Sequence, residues 1–312
     1  MISEVDLSRP DQSAAPLSSA HIATAHPPLS VLWSAHETIL ARQDSLRLVR
    51  FAAPTCPPAI RTALLEAELS LAPKLDVSWA VKPIALQRGV GGELELLLEY
   101  PGGEPLERQL NETLTLEAAL SLSVALVTAV GRMHSVGLVH HDLRPEHMLY
   151  DVQTQTLRLT GFGNATLGAT PPEASPHLPM DALPYLAPEQ TGRLELPVDT
   201  RADLYAVGVI LFRMVVGRAP FQAADPLTWV HAHLAQRPPA AEDIAGAPRP
   251  VSRLINKLLA KAPDERYQTA AGLESDLRRC LTALRAEGRI DDFPLGAFDL
   301  SASLVASGMV FG

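Results

Sequence analysis

Hydrophobic residues recur along this chain in two rhythms, short and strand-like at first, longer and helical later. From Leu29 to Tyr100 the apolar runs are brief: Leu29–Trp33, Thr38–Arg42, Leu46–Phe51, Trp79–Leu86 and Glu93–Tyr100. Turn residues Gln43-Asp44-Ser45 separate the second and third, and the glycine-bearing turn 89–92 separates the last two, so these runs predict strands. After the proline-rich loop Ala53–Pro58, Ala59–Leu71 carries helical spacing. Beyond Pro101-Gly102-Gly103 the period lengthens. Leu116–His134, with Thr115 as its N-cap, is apolar nearly all round, the mark of a helix buried in a core. Asp199–Gly217 repeats that pattern, and Pro226–Ala235, Val251–Leu259 and Ala270–Ala286 predict further helices. Leu157–Leu159 predicts a short strand, and Gly161–Glu189 a long loop rich in proline.

This pattern divides the chain into a strand-rich part over 29–100 and a helical part over 101–287. The flanks lack sustained periodicity: 1–28, rich in Ser, Ala, Pro and His, is expected to be a mobile leader, and 288–312 a linker.

Composition narrows the possibilities. With 312 residues, 47% hydrophobic and 20% charged, the chain has the make-up of a globular protein with a large core. Its net charge of −9, without any Lys/Arg-rich run, argues against nucleic acid as a partner. Cys56 and Cys280 match no zinc or disulfide framework, which leads us to expect a reducing, cytoplasmic setting. The start Met1–Asp6 lacks the basic and apolar regions of a secretory signal. The apolar runs Leu120–Val130 and Tyr205–Phe212 are expected to be too short or interrupted to span a bilayer.

The chemistry gathers in Val139-His140-His141-Asp142-Leu143-Arg144-Pro145-Glu146-His147-Met148-Leu149. After it come Leu159-Thr160-Gly161-Phe162-Gly163, Tyr185-Leu186-Ala187-Pro188-Glu189, Asp203-Leu204-Tyr205-Ala206-Val207-Gly208 and Pro263-Asp264-Glu265-Arg266-Tyr267. In order and spacing this set resembles the protein-kinase family: the H-R-D-L-K-P-x-N catalytic loop, then D-F-G, A-P-E, D-x-[WY]-S-x-G and a late Arg. The resemblance covers about Leu29–Ala286. It implies an α+β, bilobal protein kinase-like fold, with a small lobe of a five-stranded antiparallel sheet plus one helix and a mainly helical large lobe. It also implies that Asp142 stands where the family's catalytic base does, that Arg144 replaces a Lys contacting phosphate, and that Asp203 holds the catalytic-loop backbone. Glu189 and Arg266 are implied to form a buried structural ion pair.

The nucleotide-handling positions depart from the family. Phosphate cradling needs glycines, whose backbone lets N–H groups approach phosphate closely, yet no Gly precedes Gly89. Between the first two strands stand Ser34-Ala35-His36-Glu37. Arg50, in Leu48-Val49-Arg50-Phe51, takes the place of the phosphate-gripping Lys, and Glu66 is its expected helix partner. Gly161 replaces the D-F-G Asp and His147 the catalytic-loop Asn, so neither side-chain ligand for magnesium remains, and no metal is expected. His141 replaces an Arg that docks phosphorylated activation loops, leaving Thr166, Thr170 and Ser175 without that receiver. Leu98, Glu99 and Tyr100 fall at the hinge, whose backbone offers a place for an adenine ring.

Arg144-Pro145-Glu146 resembles the Ser/Thr form of the family. Tyr185–Arg193, Val198–Tyr205, Gly217–Phe221 and Phe293–Gly296 resemble the N-terminal kinase domain of bacterial multidomain sensor proteins, where an AAA ATPase and a sensor histidine kinase region follow. No Walker sequence occurs here. The expectation is a pseudokinase acting as a regulatory or docking module in bacterial signal transduction, with protein partners such as those C-terminal regions. Two alternatives remain open: a weak Ser/Thr protein kinase, and a sensor that binds ATP without Mg.

Overall fold

Strands Ser30–Ser34 (β1), Thr38–Arg42 (β2), Arg47–Ala52 (β3), Pro83–Arg88 (β4) and Leu94–Glu99 (β5) form one antiparallel sheet in the order β1-β2-β3-β5-β4. This is a computed structural model, and it describes residues 29–34, 38–52, 56–89, 92–110, 114–171 and 179–299. The expected leader 1–28, the three residues between β1 and β2 (35–37), Ser175 and the stretch 300–312 lie outside the described residues.

Alternation along the strands buries both faces of this sheet. Leu40, Leu48, Leu96 and Leu98 point toward the helix Pro58–Ser70 (α1), which contributes Leu65, while Ile39, Ala41, Val49, Phe51 and Leu97 form a second cluster on the other face. Helix α1 begins at Pro58, two residues of the proline-rich loop serving as N-cap and first turn.

The large lobe is built around Leu116–Ser135 (α3) and Thr200–Val216 (α4), with the short helix Leu106–Gln109 (α2) before them. Pro226–Ala235 (α5), Ala241–Ala245 (α6), Arg249–Leu258 (α7) and Ala270–Glu287 (α8) complete it. The predicted N-cap Thr115 accepts a hydrogen bond from the Ala118 amide. Asp199 does the same for α4 through Arg201. The all-round apolar surface of α3 is met by α8 on one side and α4 on another, in a core that includes Leu120, Val127, Met133, Tyr205, Phe212 and Leu277. In length and apolarity α3 does satisfy what a membrane span needs, contrary to the sequence expectation, but half of its residues are buried inside the lobe.

Small strands Glu104–Pro105 (β6), Leu138–Val139 (β7), Met148–Asp151 (β8), Thr156–Leu159 (β9) and Thr166–Leu167 (β10) lie between the lobes' main masses. They pair as β6-β8-β9 and β10-β7.

Up to Asp299 the C-terminal stretch is packed, where a linker was expected. Ile290 and Phe293 are buried, and Arg279 lies over the Phe293 ring at 4.2 Å. The Asp299 carboxylate accepts from the amides of Gln268 (2.8 Å) and Thr269 (2.9 Å) at the start of α8. Two apolar anchors and backbone pairing suffice where apolar content is low.

Candidate functional site

Strands β7 and β8 bracket the catalytic-loop stretch, and Asp203, in the first turn of α4, fastens it. Its carboxylate accepts from the His140 amide (2.9 Å), the His141 amide (3.0 Å) and His134 Nε2 (2.9 Å). His141 sits at φ 66°, a left-handed conformation that costs a non-glycine residue about 1–2 kcal/mol. Hydrogen bonds to a carboxylate contribute about 1.5–3 kcal/mol each, so two of them offset that strain. Gln190 adds a bond to the His141 carbonyl at 2.8 Å. The His140 ring donates from Nε2 to the Thr160 carbonyl (3.1 Å) and accepts from the Asp142 amide at Nδ1 (3.3 Å). Burial pushes its pKa down to about 4, so it is neutral.

His147 lies at the centre. Its Nδ1 is 2.8 Å from the Asp142 carbonyl oxygen, which can only accept, and its Nε2 is 3.4 Å from Arg144 Nη2, which can only donate. The partners therefore dictate the tautomer: Nδ1 carries the proton, and the Nε2 lone pair faces a cation. Burial, then the charges of Arg144 and Arg50, hold the pKa of His147 well below its usual value. Arg144 is 2% exposed and is flanked by Asp142 (Nε to Oδ1, 3.2 Å) and Asp181 (Nη1 to Oδ1, 2.8 Å). The Trp33 ring of β1 covers its guanidinium at 5.4 Å and meets the His147 ring edge-on at 5.7 Å.

Gly161 and His147 are matched to each other. Gly161 has φ 83°, and a Cβ added there would stand 2.7 Å from His147 Cδ2 and Cγ. The imidazole thus occupies the space into which any side chain at position 161 would grow.

Arg50 forms its buried pair with Glu68, not with Glu66 as the sequence reading expected. Arg50 Nη1 donates to Glu68 Oε2, Arg50 Nη2 donates to Thr160 Oγ1 at 2.7 Å, and Glu68 Oε1 accepts from the Gly161 amide at 3.2 Å. Glu66 is exposed. On α1, residue 68 follows the core residue Leu65 by three positions and shares its inward face, whereas 66 is turned about 100° away. That spacing was the available signal.

The space between the lobes is largely filled. Leu149 of β8 joins the small-lobe cluster of Leu32, Leu40, Leu48 and Leu98. Arg108 of α2 donates to the carbonyls of Val31 (3.3 Å) and Leu32 (2.9 Å), tying β1 to the large lobe. At the hinge the Glu99 amide donates to the Lys82 carbonyl (2.9 Å), the Tyr100 amide to the Leu46 carbonyl (2.8 Å), and Pro101 has no N–H. The hinge residues Glu99 and Tyr100 thus have no spare amide donor for an adenine ring, and Leu98 is buried. What remains beside Arg50, Glu68, Asp142, His147 and Gly161 is a cavity of about 30 Å³. Small-molecule sites need about 300–1,000 Å³, so this one accommodates a water or so.

Magnesium, which the family implies, asks for oxygen donors in octahedral order. Around Gly161 the carboxylates of Glu68 and Asp142 are each engaged by an arginine, and the His147 lone pair points at a guanidinium. This donor set does not fit the ion.

Other parts of the site hold the large lobe. Glu189 and Arg266 form a two-pronged pair (2.6 and 2.7 Å) that is almost wholly buried, and the guanidinium also donates to the carbonyls of Ala260, Lys261 and Arg201. His141 Nε2 lies 2.7 Å from Thr166 Oγ1, and Thr170 pairs through its backbone with Val198. Sequence reasoning missed Trp33, Arg108, Glu68 and Asp181. It also missed Glu146, whose carboxyl burial pushes up to about 7 against the pull of Arg144.

Residues 67–277 match the family described as the protein kinase domain. The chain is 29% identical over 262 residues to the serine/threonine-protein kinase PrkC of Bacillus subtilis, covering 81% of this chain and 39% of that protein. It is 30% identical over 200 residues to the serine/threonine-protein kinase PksC of Streptomyces coelicolor, covering 61% and 35%. A segment of 137 residues is 39% identical to the hybrid signal transduction histidine kinase G of Dictyostelium discoideum, covering 37% of this chain and 4% of that protein. The chain therefore spans well under half the length of these relatives. With the two-lobed architecture, the fastened catalytic loop and a family match across most of its length, this chain belongs to the protein kinase domain family.

Proposed function

We propose that this protein kinase domain is a pseudokinase, a regulatory or docking module in bacterial signal transduction. The observation that carries the reading is the mutual fit of His147 and Gly161, which puts an imidazole where the family places a metal-binding carboxylate. Phosphoryl transfer rests almost wholly on positioning and charge neutralisation, and loss of one well-placed electrostatic group costs about 10²–10³ in rate. The arginine-engaged carboxylates and the absence of spare amide donors at Glu99 and Tyr100 support the same reading. The relative named as a hybrid signal transduction histidine kinase supports the signalling context; protein partners and a cytoplasmic setting belong to the same proposal.

A second reading, a weak Ser/Thr protein kinase, is favoured by the placement of Asp142 and Arg144 side by side and by the relatives named as serine/threonine-protein kinases. Thermal melting with ATP, with and without Mg²⁺ or Mn²⁺, separates the two. Binding at a hundredfold excess over Kd stabilises by about 2.7 kcal/mol. The pseudokinase reading expects no metal-dependent rise in Tm. Such a rise, with radiolabel transfer to protein that disappears in Asp142→Ala, overturns it. A metal-independent rise instead supports a nucleotide-sensing domain, with ATP bound without Mg.

A further inference from the structure

Behind the junction of the lobes lies a pocket of about 340 Å³, remote from the catalytic loop's open face and unused by anything above. Its floor is apolar: Trp79 from the segment before β4, Val124, Ala125 and Ala129 on α3, Leu157 on β9 and Leu281 on α8. Its rim carries Arg132, Arg278 and Arg285, with no Asp or Glu among the lining residues. Hydroxyls of Ser78, Ser121, Thr128 and Thr156 complete the wall.

The rim arginines are available. Arg278 and Arg285 pair with Glu274 and Glu117 and also donate to the wall hydroxyls of Thr128 (3.4 Å) and Ser121 (3.0 Å), with the arginines 57% and 50% exposed and Glu274, which also accepts from Thr128, partly buried. Exposed pairs of this kind contribute about 0–1 kcal/mol, so an incoming anion exchanges with them at little cost. Arg132 is also exposed and forms no ion pair within 4.0 Å among the described residues. Guanidinium groups match the two-oxygen geometry of carboxylate and phosphate. The volume falls in the range of small-molecule sites, in contrast to the 30 Å³ left in the cleft.

We propose that this pocket binds a small amphipathic anion, its apolar body over Ala125 and Leu281 with Trp79 and Leu157 beneath, and its charged head among Arg132, Arg278 and Arg285. The position gives such a ligand a route to the catalytic loop. The Trp79 ring is 6.1 Å from Phe162, Phe162 is 4.9 Å from His140, and the Leu159 amide donates to the Trp79 carbonyl at 2.8 Å.

The test uses octyl phosphate on the full chain, followed by calorimetry and tryptophan emission, with octanol and octyltrimethylammonium as controls. Saturable binding of one octyl phosphate per chain is expected, with octanol and the cation weaker by roughly 10- to 100-fold. The double variant Arg132→Glu/Arg278→Glu is expected to weaken binding by a similar roughly 10- to 100-fold, and Arg132→Glu alone serves if the double variant folds poorly. In Trp79→Phe the emission change should fall away. Equal binding of octanol and octyl phosphate, unchanged binding in the charge-reversed variants, an emission change that survives Trp79→Phe, or no saturable binding overturns the proposal.

Discussion

Two buried charge centres lie within this large lobe, and they have kept their family pattern to different degrees. At Glu189–Arg266 every donor of the guanidinium has a partner, and the carboxylate is gripped through both oxygens. At the catalytic loop Asp142 is still in place, but its neighbours are Arg144 and a neutral His147, with Gly161 making room for the ring. The difference is instructive. A buried pair is costly to change from one side, because the remaining charge has no water to turn to. Groups whose family role is to meet a ligand have no such internal partner, and a ring together with a missing side chain can replace them while the packing stays intact.

The largest effect expected on this contrast comes from Arg266→Met, which strands Glu189. It should lower unfolding free energy by about 3–5 kcal/mol in denaturant titrations, and the further change Glu189→Leu should return part of that. A loss under about 1 kcal/mol would place this pair on the same footing as surface charges. At the cleft, Arg50→Met strands Glu68 and should cost a comparable amount, about 3–5 kcal/mol. Glu66→Ala should stay within about 0.5 kcal/mol of the parent, which separates the observed partner from the expected one.

Gly161→Ala tests the matched pair. Its Cβ meets the His147 ring at 2.7 Å, at a φ of 83°, and overpacking of this kind costs about 1–3 kcal/mol. Combining it with His147→Asn should recover about 0.5–3 kcal/mol of coupling energy, whereas strict additivity would mean the ring does not set the space. On the pseudokinase reading proposed above, Gly161→Asp with His147→Asn is not expected to give phosphate transfer, and robust turnover in that variant would show that the packed cleft opens readily.

The smallest effect per unit of change is the pH dependence. His140 and His233 are held neutral to about 4 by burial, and burial also holds His147 well below its usual value. Between pH 6.5 and 4 the unfolded chain takes up protons that these folded imidazoles refuse, so stability falls as pH falls through that window. Each refused proton contributes a slope of up to about 1.4 kcal/mol per pH unit. Glu146 acts in the opposite sense: with its carboxyl raised to about 7, the folded state holds a proton that the unfolded one releases above 4.5. Glu146→Gln should therefore steepen the acid-side loss measured by denaturation at stepped pH.

Much of the fold was legible in the chain. The five strand runs appear within a few residues of their expected bounds, because period-two alternation in short segments admits little else. The helices at Leu116 and Pro226 begin where their capping residues Thr115 and Asp225 stand. The site was legible where a residue type is itself the chemistry, as with Asp142, Arg144, Gly161 and His147. Glu68 was misread by two positions, since two glutamates one helical step apart differ only in the face they present. Trp33 and Arg108 gave no signal, because what they do is cross from one lobe to the other.

By itself the sequence determined the two-lobed order of elements and the identities Gly161 and His147 at the positions that the resemblance assigns to magnesium ligands, since both are properties of residue identity and spacing. Only the tertiary structure decided what took their place: the His147 ring seated against Gly161, its lone pair turned to Arg144, Trp33 laid over both, and Leu149 filling the gap between lobes. The reason is physical. Periodicity along a chain says which face a residue lies on, but which volumes coincide across a cleft is settled when the two surfaces meet.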